Sequence, residues 1–239
     1  MQYNSETNSQ DIVSCADDLA GTNSTSYPLA AKTRAANQGL RLIWSWIFDA
    51  YGGWHYDDRN QTNLPEATTT LTTGQSFYSL PTDSAHVLGL SVKTTGSTWT
   101  KLDPITLEQI QQLPDSEANF LTTNGPPRYY RPLANGFKIY PASNYTQAAS
   151  LELFFSRDVS TFAPSDTIKT PGFDSEFHEA VVVYIALQYA KRKLLPVAAA
   201  LYNDWQRYEQ LIRKHYSKRY QEMFPPRIAA GNDIMSEFT

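Results

Sequence analysis

The sequence is short of most of what enzymes use. It has one cysteine, Cys15, so no internal disulfide and no cysteine-based zinc site is expected. Its four histidines, His55, His86, His178 and His215, are not spaced as metal-ligand pairs. With only 11 glycines, it contains no Gly-x-Ser-x-Gly elbow, no phosphate-cradling loop and no dinucleotide fingerprint. Charged residues make up only 18%. No apolar run approaches the length of a membrane span. The first residues, MQYNSETNSQ, lack the basic and apolar regions of a secretory signal, so none is expected. No internal repeat is visible, which argues against a solenoid or propeller.

What is abundant is aromatic. The 239 residues include 15 Tyr, 11 Phe and 5 Trp. Large amphipathic rings suit either a ligand cleft or a broad protein interface. The net charge of -4 is an average over unlike parts. Residues 1–190 are acidic, whereas 191–227 hold nine basic residues against Asp204, Glu209 and Glu222. A basic C-terminal helix on an acidic body can face solvent, nucleic acid or an acidic protein.

Residues 1–27 are rich in Asn, Ser, Thr and Asp and read as a flexible arm, with a short helix near Ile12–Leu19. Leu40, Ile43, Trp44, Ile47, Phe48 and Tyr51 form one apolar stripe, so a helix is expected at 28–51, stopped by Gly52-Gly53. From Pro65 to about residue 158, short alternating segments broken by Pro, Gly, Asn and Asp predict strands at 67–72, 76–79, 86–94, 98–102, 128–132, 137–140 and 151–156. One helical piece, 106–113, interrupts them. Two helices follow, at 174–194 and 197–222, separated by Pro196. The first starts acidic and ends in Lys191, Arg192 and Lys193, as the helix dipole favours.

The expected fold is α+β. Three long helices can bury their stripes only against one another, which predicts a three-helix bundle. A β-rich module, sandwich or barrel, is inserted between its first and second helices. The corresponding domains are an arm at 1–27, a discontinuous helical domain at 28–64 and 172–224, a β-rich domain at 65–171, and a tail at 225–239.

Candidate chemistry is thin. Asp57 and Asp58 beside Trp54, His55 and Tyr56 could serve a glycan hydrolase, but adjacent carboxylates point apart. His178 between Glu176 and Glu179 reads as an ordinary helix start. No catalytic residue, metal site or cofactor is expected. Trp46, opposite the first stripe, is a candidate interface anchor.

The order of segments resembles the head-to-tail adaptors of short-tailed bacteriophages, the tail-tubular-protein-A-like group. The resemblance is carried by IWSWIFDAYGGWHYDD, SFYSLPTDSAHVLGLSV, TWTKLDPITLEQI, PRYYRP with IYPA, PGFDSEFHEAVVVYIALQYAKRK and KRYQEMF, and covers about residues 9–224. It implies a structural virion protein of the neck, assembled in the host bacterial cytoplasm. Such adaptors form a ring, typically of twelve subunits, under the portal protein. The ring extends the DNA channel and receives downstream tail, nozzle or tail-fibre proteins, without a membrane and without sequence-specific DNA binding. The resemblance also implies that Arg227, Ile228, Ile234, Met235 and Phe238 in the C-terminal segment dock against the portal. A channel that passes DNA must not grip it, because each neutralised phosphate adds affinity. The basic helix, with Arg213, Lys214, Lys218 and Arg219, is therefore expected to face a neighbouring subunit or the portal rather than the bore. The competing readings are a tail-associated carbohydrate-binding or glycan-hydrolysing protein, and a basic-helix nucleic-acid binder.

Overall fold

The computed structural model describes residues 1–5, 9–51, 60–93, 97–112 and 122–223. Its helices are α1 (Ile12–Ala20), α2 (Leu29–Ala50), α3 (Leu107–Gln112), α4 (His178–Arg192) and α5 (Ala198–Met223), with a 3-10 turn at Ser175–Phe177 leading into α4. Its strands are β1 (Glu66–Leu71), β2 (Phe77–Ser79), β3 (Ser84–Lys93), β4 (Trp99–Lys101), β5 (Asp103–Pro104), β6 (Tyr129–Leu133), β7 (Gly136–Tyr140) and β8 (Gln147–Arg157). The fold is mixed α+β. The chain divides into two compact units. One contains Met1–Ile12 and Gly53–His178, and the other Val13–Gly52 and Glu179–Thr239.

The first unit is built on two four-stranded sheets, ordered β1-β8-β3-β4 and β2-β7-β6-β5. All neighbours are antiparallel except β5 and β6. Alternation decides which side chains turn inward. On β7, Phe137 and Ile139 are buried while Lys138 between them is exposed. On β8, Leu151, Leu153 and Phe155 are buried. Together with Leu71, Leu90 and Val92 from one sheet and Tyr78 and Tyr130 from the other, they form one apolar cluster. Side chains from both sheets thus share one core, as in a sandwich.

Two strands are longer than their apolar pattern. β8 starts at Gln147, four residues before its first buried aliphatic, because Gln147 pairs with Leu71 of β1. β3 starts at Ser84 because Ser84 pairs with Arg157. The two-residue β5 was not expected, since Pro104 has no N–H to offer a ladder. It is held by its parallel pairing with Tyr129 and Tyr130. At the end of β8, Arg157 is 1% exposed. Its Nε lies 3.2 Å from an Asp83 carboxylate oxygen, and Nη2 donates to the Leu64 carbonyl at 2.9 Å.

The flexible arm expected at 1–27 is corrected by the structure. In the β-rich unit, Tyr3 is fully buried and stacks on Phe162 with ring centroids 4.2 Å apart. The Tyr3 N–H donates to the Lys169 carbonyl, and the Ile12 N–H to the Gln2 carbonyl. Val13, Ala16 and Ala20 of α1 are buried, as is Tyr27. The polar composition concealed a few widely spaced apolar residues, and their pockets come from sequence-distant parts of the chain.

In the helical unit, α2, α4 and α5 meet through aromatic rings. Trp205 of α5 lies 4.6 Å from Trp46 of α2 and 4.7 Å from Tyr184 of α4, centroid to centroid. The buried face of α2 is Lys32, Ala35, Ala36, Gly39, Leu40, Ile43, Trp46 and Ile47. It is rotated from the expected stripe, so Trp44 and Phe48 are only half-buried and stack on each other. The rotation follows from the small residues. A Cβ at Gly39 would sit 2.9 Å from Tyr184 Cδ1, so only glycine admits this approach. On α5, Leu201, Trp205, Ile212 and Tyr216 are buried. Residues 180–187 of α4 are buried without a break, which matches their continuous apolar run.

One ion pair ties α1 to α2. Lys32, with a side chain 2% exposed, places Nζ 2.5 Å from Asp17 Oδ2. The Thr22 hydroxyl donates to the other oxygen of the same carboxylate.

Two outcomes follow. Gly39→Val should lower stability by about 1–3 kcal/mol through overpacking against Tyr184, read as a reduced Tm with far-UV circular dichroism retained at low temperature. Asp17→Ala should cost about 3 kcal/mol, because it leaves the Lys32 ammonium buried without its carboxylate. Adding Lys32→Met to Asp17→Ala should restore much of that loss in denaturant titrations.

Candidate docking surfaces

The expected interface residues separate once the helices are packed. Trp46 is a correction. It is buried against Trp205, so it serves the chain's own core and is not an exposed anchor. It lies off the first stripe only if the buried arc is drawn too narrowly. Arg213 is tethered within the chain. Its Nε is 3.0 Å from Glu209 Oε1 and its Nη1 3.3 Å from Asp49 Oδ2. With 39% of its side chain exposed, it contributes a bridge between α5 and the end of α2 more than a free charge. Lys214 and Lys218, one helical turn apart on α5, are exposed. The side chain of Arg219 lies outside the described residues, as do Arg227, Ile228, Ile234, Met235 and Phe238. His55, Asp57 and Asp58 also lie outside them.

His178 is buried, with Nε2 3.1 Å from the Phe173 carbonyl and its ring edge-on to Phe173. That is a packed position rather than an open acid–base site. Next to it, Glu179 accepts a hydrogen bond from the Tyr208 hydroxyl at 2.8 Å. Burial first, and that bond second, push the Tyr208 phenol up to about 12. The pair therefore acts as a neutral donor to a carboxylate and fastens α4 to α5.

The surfaces differ in charge. The β-rich unit carries 8 Lys+Arg against 15 Asp+Glu, and the helical unit 12 against 9. Part of the helical unit's positive charge gathers in a cleft that α2 and α4 both line. Tyr27, Ala31, Arg34, Ala35, Gln38, Gln188, Lys191 and Arg192 line a cleft of about 470 Å³. The sequence reading missed this cleft. Arg34 and Gln38 are spaced i, i+4, and Gln188, Lys191 and Arg192 are spaced i, i+3, i+4. Each set marks a polar helical face, but nothing in the spacing says that the two faces converge. A second cleft, in the β-rich unit, is lined by Asn60, Gln61, Ser160, Ile168, Lys169 and Thr170. There, Asn60 is spent on the Thr170 backbone and Lys169 on the Thr161 carbonyl.

Among the residues lining them, neither cleft joins a nucleophile to a base. Among the described residues, no helix is long and apolar enough to cross a membrane. Among curated proteins, none matches the chain. The family model described as SU10 adaptor protein matches residues 8–229, nearly the whole sequence. This match agrees with the resemblance carried by the order of segments: the chain belongs to the SU10 adaptor protein family, and is a structural head-to-tail adaptor of a phage virion.

Proposed function

We propose that this adaptor forms a ring, typically of twelve subunits, below the portal protein, extends the DNA channel and receives the downstream tail components. The observation that carries the reading is the family match over residues 8–229. The helical domain, 28–64 and 172–224, acts as a three-helix bundle and supplies the ring wall. The β-rich module, 65–171, is inserted in it and faces the tail. Exposed Lys214 and Lys218, with Arg219, contribute to the subunit interface, while Arg213 holds α5 in place for them. The tail at 225–239 docks against the portal through Arg227, Ile228, Ile234, Met235 and Phe238. Its isolated apolar residues alternate with polar ones and have no helical stripe, a pattern suited to ordering on a partner. DNA passes without sequence-specific contact.

Native mass spectrometry of the full chain with and without purified portal tests this reading. The expected result is a closed ring on the portal. Removing 225–239 should abolish attachment while leaving the circular dichroism spectrum and Tm unchanged. A chain that never assembles on a portal ring would sink the adaptor role. Undiminished attachment of the shortened chain would sink the docking role of the tail.

A further inference from the structure

The cleft between α2 and α4 gathers three cations that no described carboxylate neutralises. Arg34 enters from α2, and Lys191 and Arg192 from α4. Among the described residues, none of the three forms an ion pair with a carboxylate. Lys191 instead sits over the Tyr202 ring, 4.9 Å from its centroid. The two guanidinium groups lie close to the Tyr27 phenol. Burial raises the pKa of that phenol, and Arg192 and Arg34 pull it back down. A helix C-terminus favours cations, which accounts for Lys191 and Arg192 at the end of α4. It does not account for Arg34, which brings a third positive charge from another helix into the same concavity. Like charges held together in a partly enclosed site repel one another until an anion enters.

The site also offers directed hydrogen bonds and an apolar foothold. Gln38 and Gln188 supply amide donors, and Ala31 and Ala35 form a smooth wall. Two residues beyond Arg192, Leu194 is 90% exposed. It occupies the left-handed position of the turn that ends α4, with φ of 53°. The Leu195 N–H bonds to the Ala190 carbonyl and the Leu194 N–H to that of Lys191, the pattern of a helix-ending turn that normally places glycine there. A leucine at that position strains the backbone and holds an aliphatic side chain out in water, two residues along the chain from Arg192. Val197 is also exposed, three residues further on.

We propose that this cleft is a docking pocket for the carboxylate side chains of a protein partner, with Leu194 as the apolar contact at its rim. Carboxylate is favoured over nucleic acid on three grounds. A cleft of about 470 Å³ accepts a few side chains, whereas a duplex would need an extended basic track. Paired guanidinium groups match carboxylate geometry. An exposed leucine gains nothing from a phosphate backbone but fits an apolar socket on a protein surface. The proposal adds a partner surface to the adaptor reading and depends on neither the ring nor the portal.

The test uses the full chain and fluorescence anisotropy with a labelled glutamate-rich peptide that also carries leucines. Binding is expected, weakening as salt rises. The same peptide with glutamine for glutamate should bind at least about tenfold more weakly. Arg34→Glu with Arg192→Glu should lose at least about tenfold in affinity, and Arg34→Gln with Arg192→Gln should lose a large part of it. Lys101→Glu with Lys138→Glu, an equal charge change on exposed lysines of the β-rich unit, should bind as the parent does. Leu194→Gly should bind severalfold more weakly while its Tm stays equal or rises, because glycine relieves the left-handed strain. The proposal is overturned if the cleft variants bind like the parent, or lose no more than the Lys101/Lys138 variant. It is also overturned if labelled duplex DNA binds more tightly than the peptide and is lost in the same cleft variants. Assembly on the portal is measured separately, so failure here leaves the adaptor reading standing.

Discussion

The helical unit depends on the packing of α2 against α5 and on its close approach to α4 at one point. That approach is set at Gly39, where the Tyr184 ring occupies the space a side chain would take. The Tyr184 ring also lies tilted against Trp205, and Trp205 tilted against Trp46, so the three helices meet at a common aromatic centre. The consequences run outward. The turn of α2 that buries Trp46 also sets Trp44 and Phe48 half out of the core. On the same helix, Arg34 and Gln38 line the basic cleft together with Gln188, Lys191 and Arg192.

The β-rich unit has a comparable centre in β8. It pairs with both β1 and β3, gives Leu151, Leu153 and Phe155 to the shared core, and ends in Arg157, whose buried guanidinium binds Asp83 and the Leu64 carbonyl. A buried arginine with those partners fixes where the strand stops as well as where it packs. Each unit thus has its own core and its own net charge, negative for the sheets and positive for the helices. Such a division offers surfaces of opposite charge, and electrostatic complementarity sets partner choice and register where such surfaces meet a neighbour.

Most of the element pattern was legible in the residues. The 3.6-residue spacing from Leu40 to Tyr51 located α2 to within a residue or so, and Pro196 separated α4 from α5 as expected. Alternation in Phe137 and Ile139 located β7. The failures have specific causes. β8 and β3 extend past their apolar stretches because pairing partners, not composition, hold Gln147 and Ser84 in the ladders. Tyr3 and Ile12 lie in polar surroundings, so the segment read as an arm although both side chains are buried. The stripe from Leu40 to Tyr51 leaves Trp46 outside it, whereas the small residues Ala35, Ala36 and Gly39 belong to a wider buried arc that takes Trp46 in.

The sequence alone determined the class of molecule: α+β, weakly charged, rich in aromatics, and ordered like a phage adaptor. Those properties live in local periodicity and composition, which the chain carries at every stage of folding. Only tertiary structure decided which aromatics face inward, which arginines are spent on carboxylates and which are left uncompensated. Arg213 and Arg34 look alike in the sequence. One is fastened to Asp49 and Glu209, and the other points into a cleft with two more cations. The difference arises from which helices come side by side, and that is set by contacts between residues far apart in the chain.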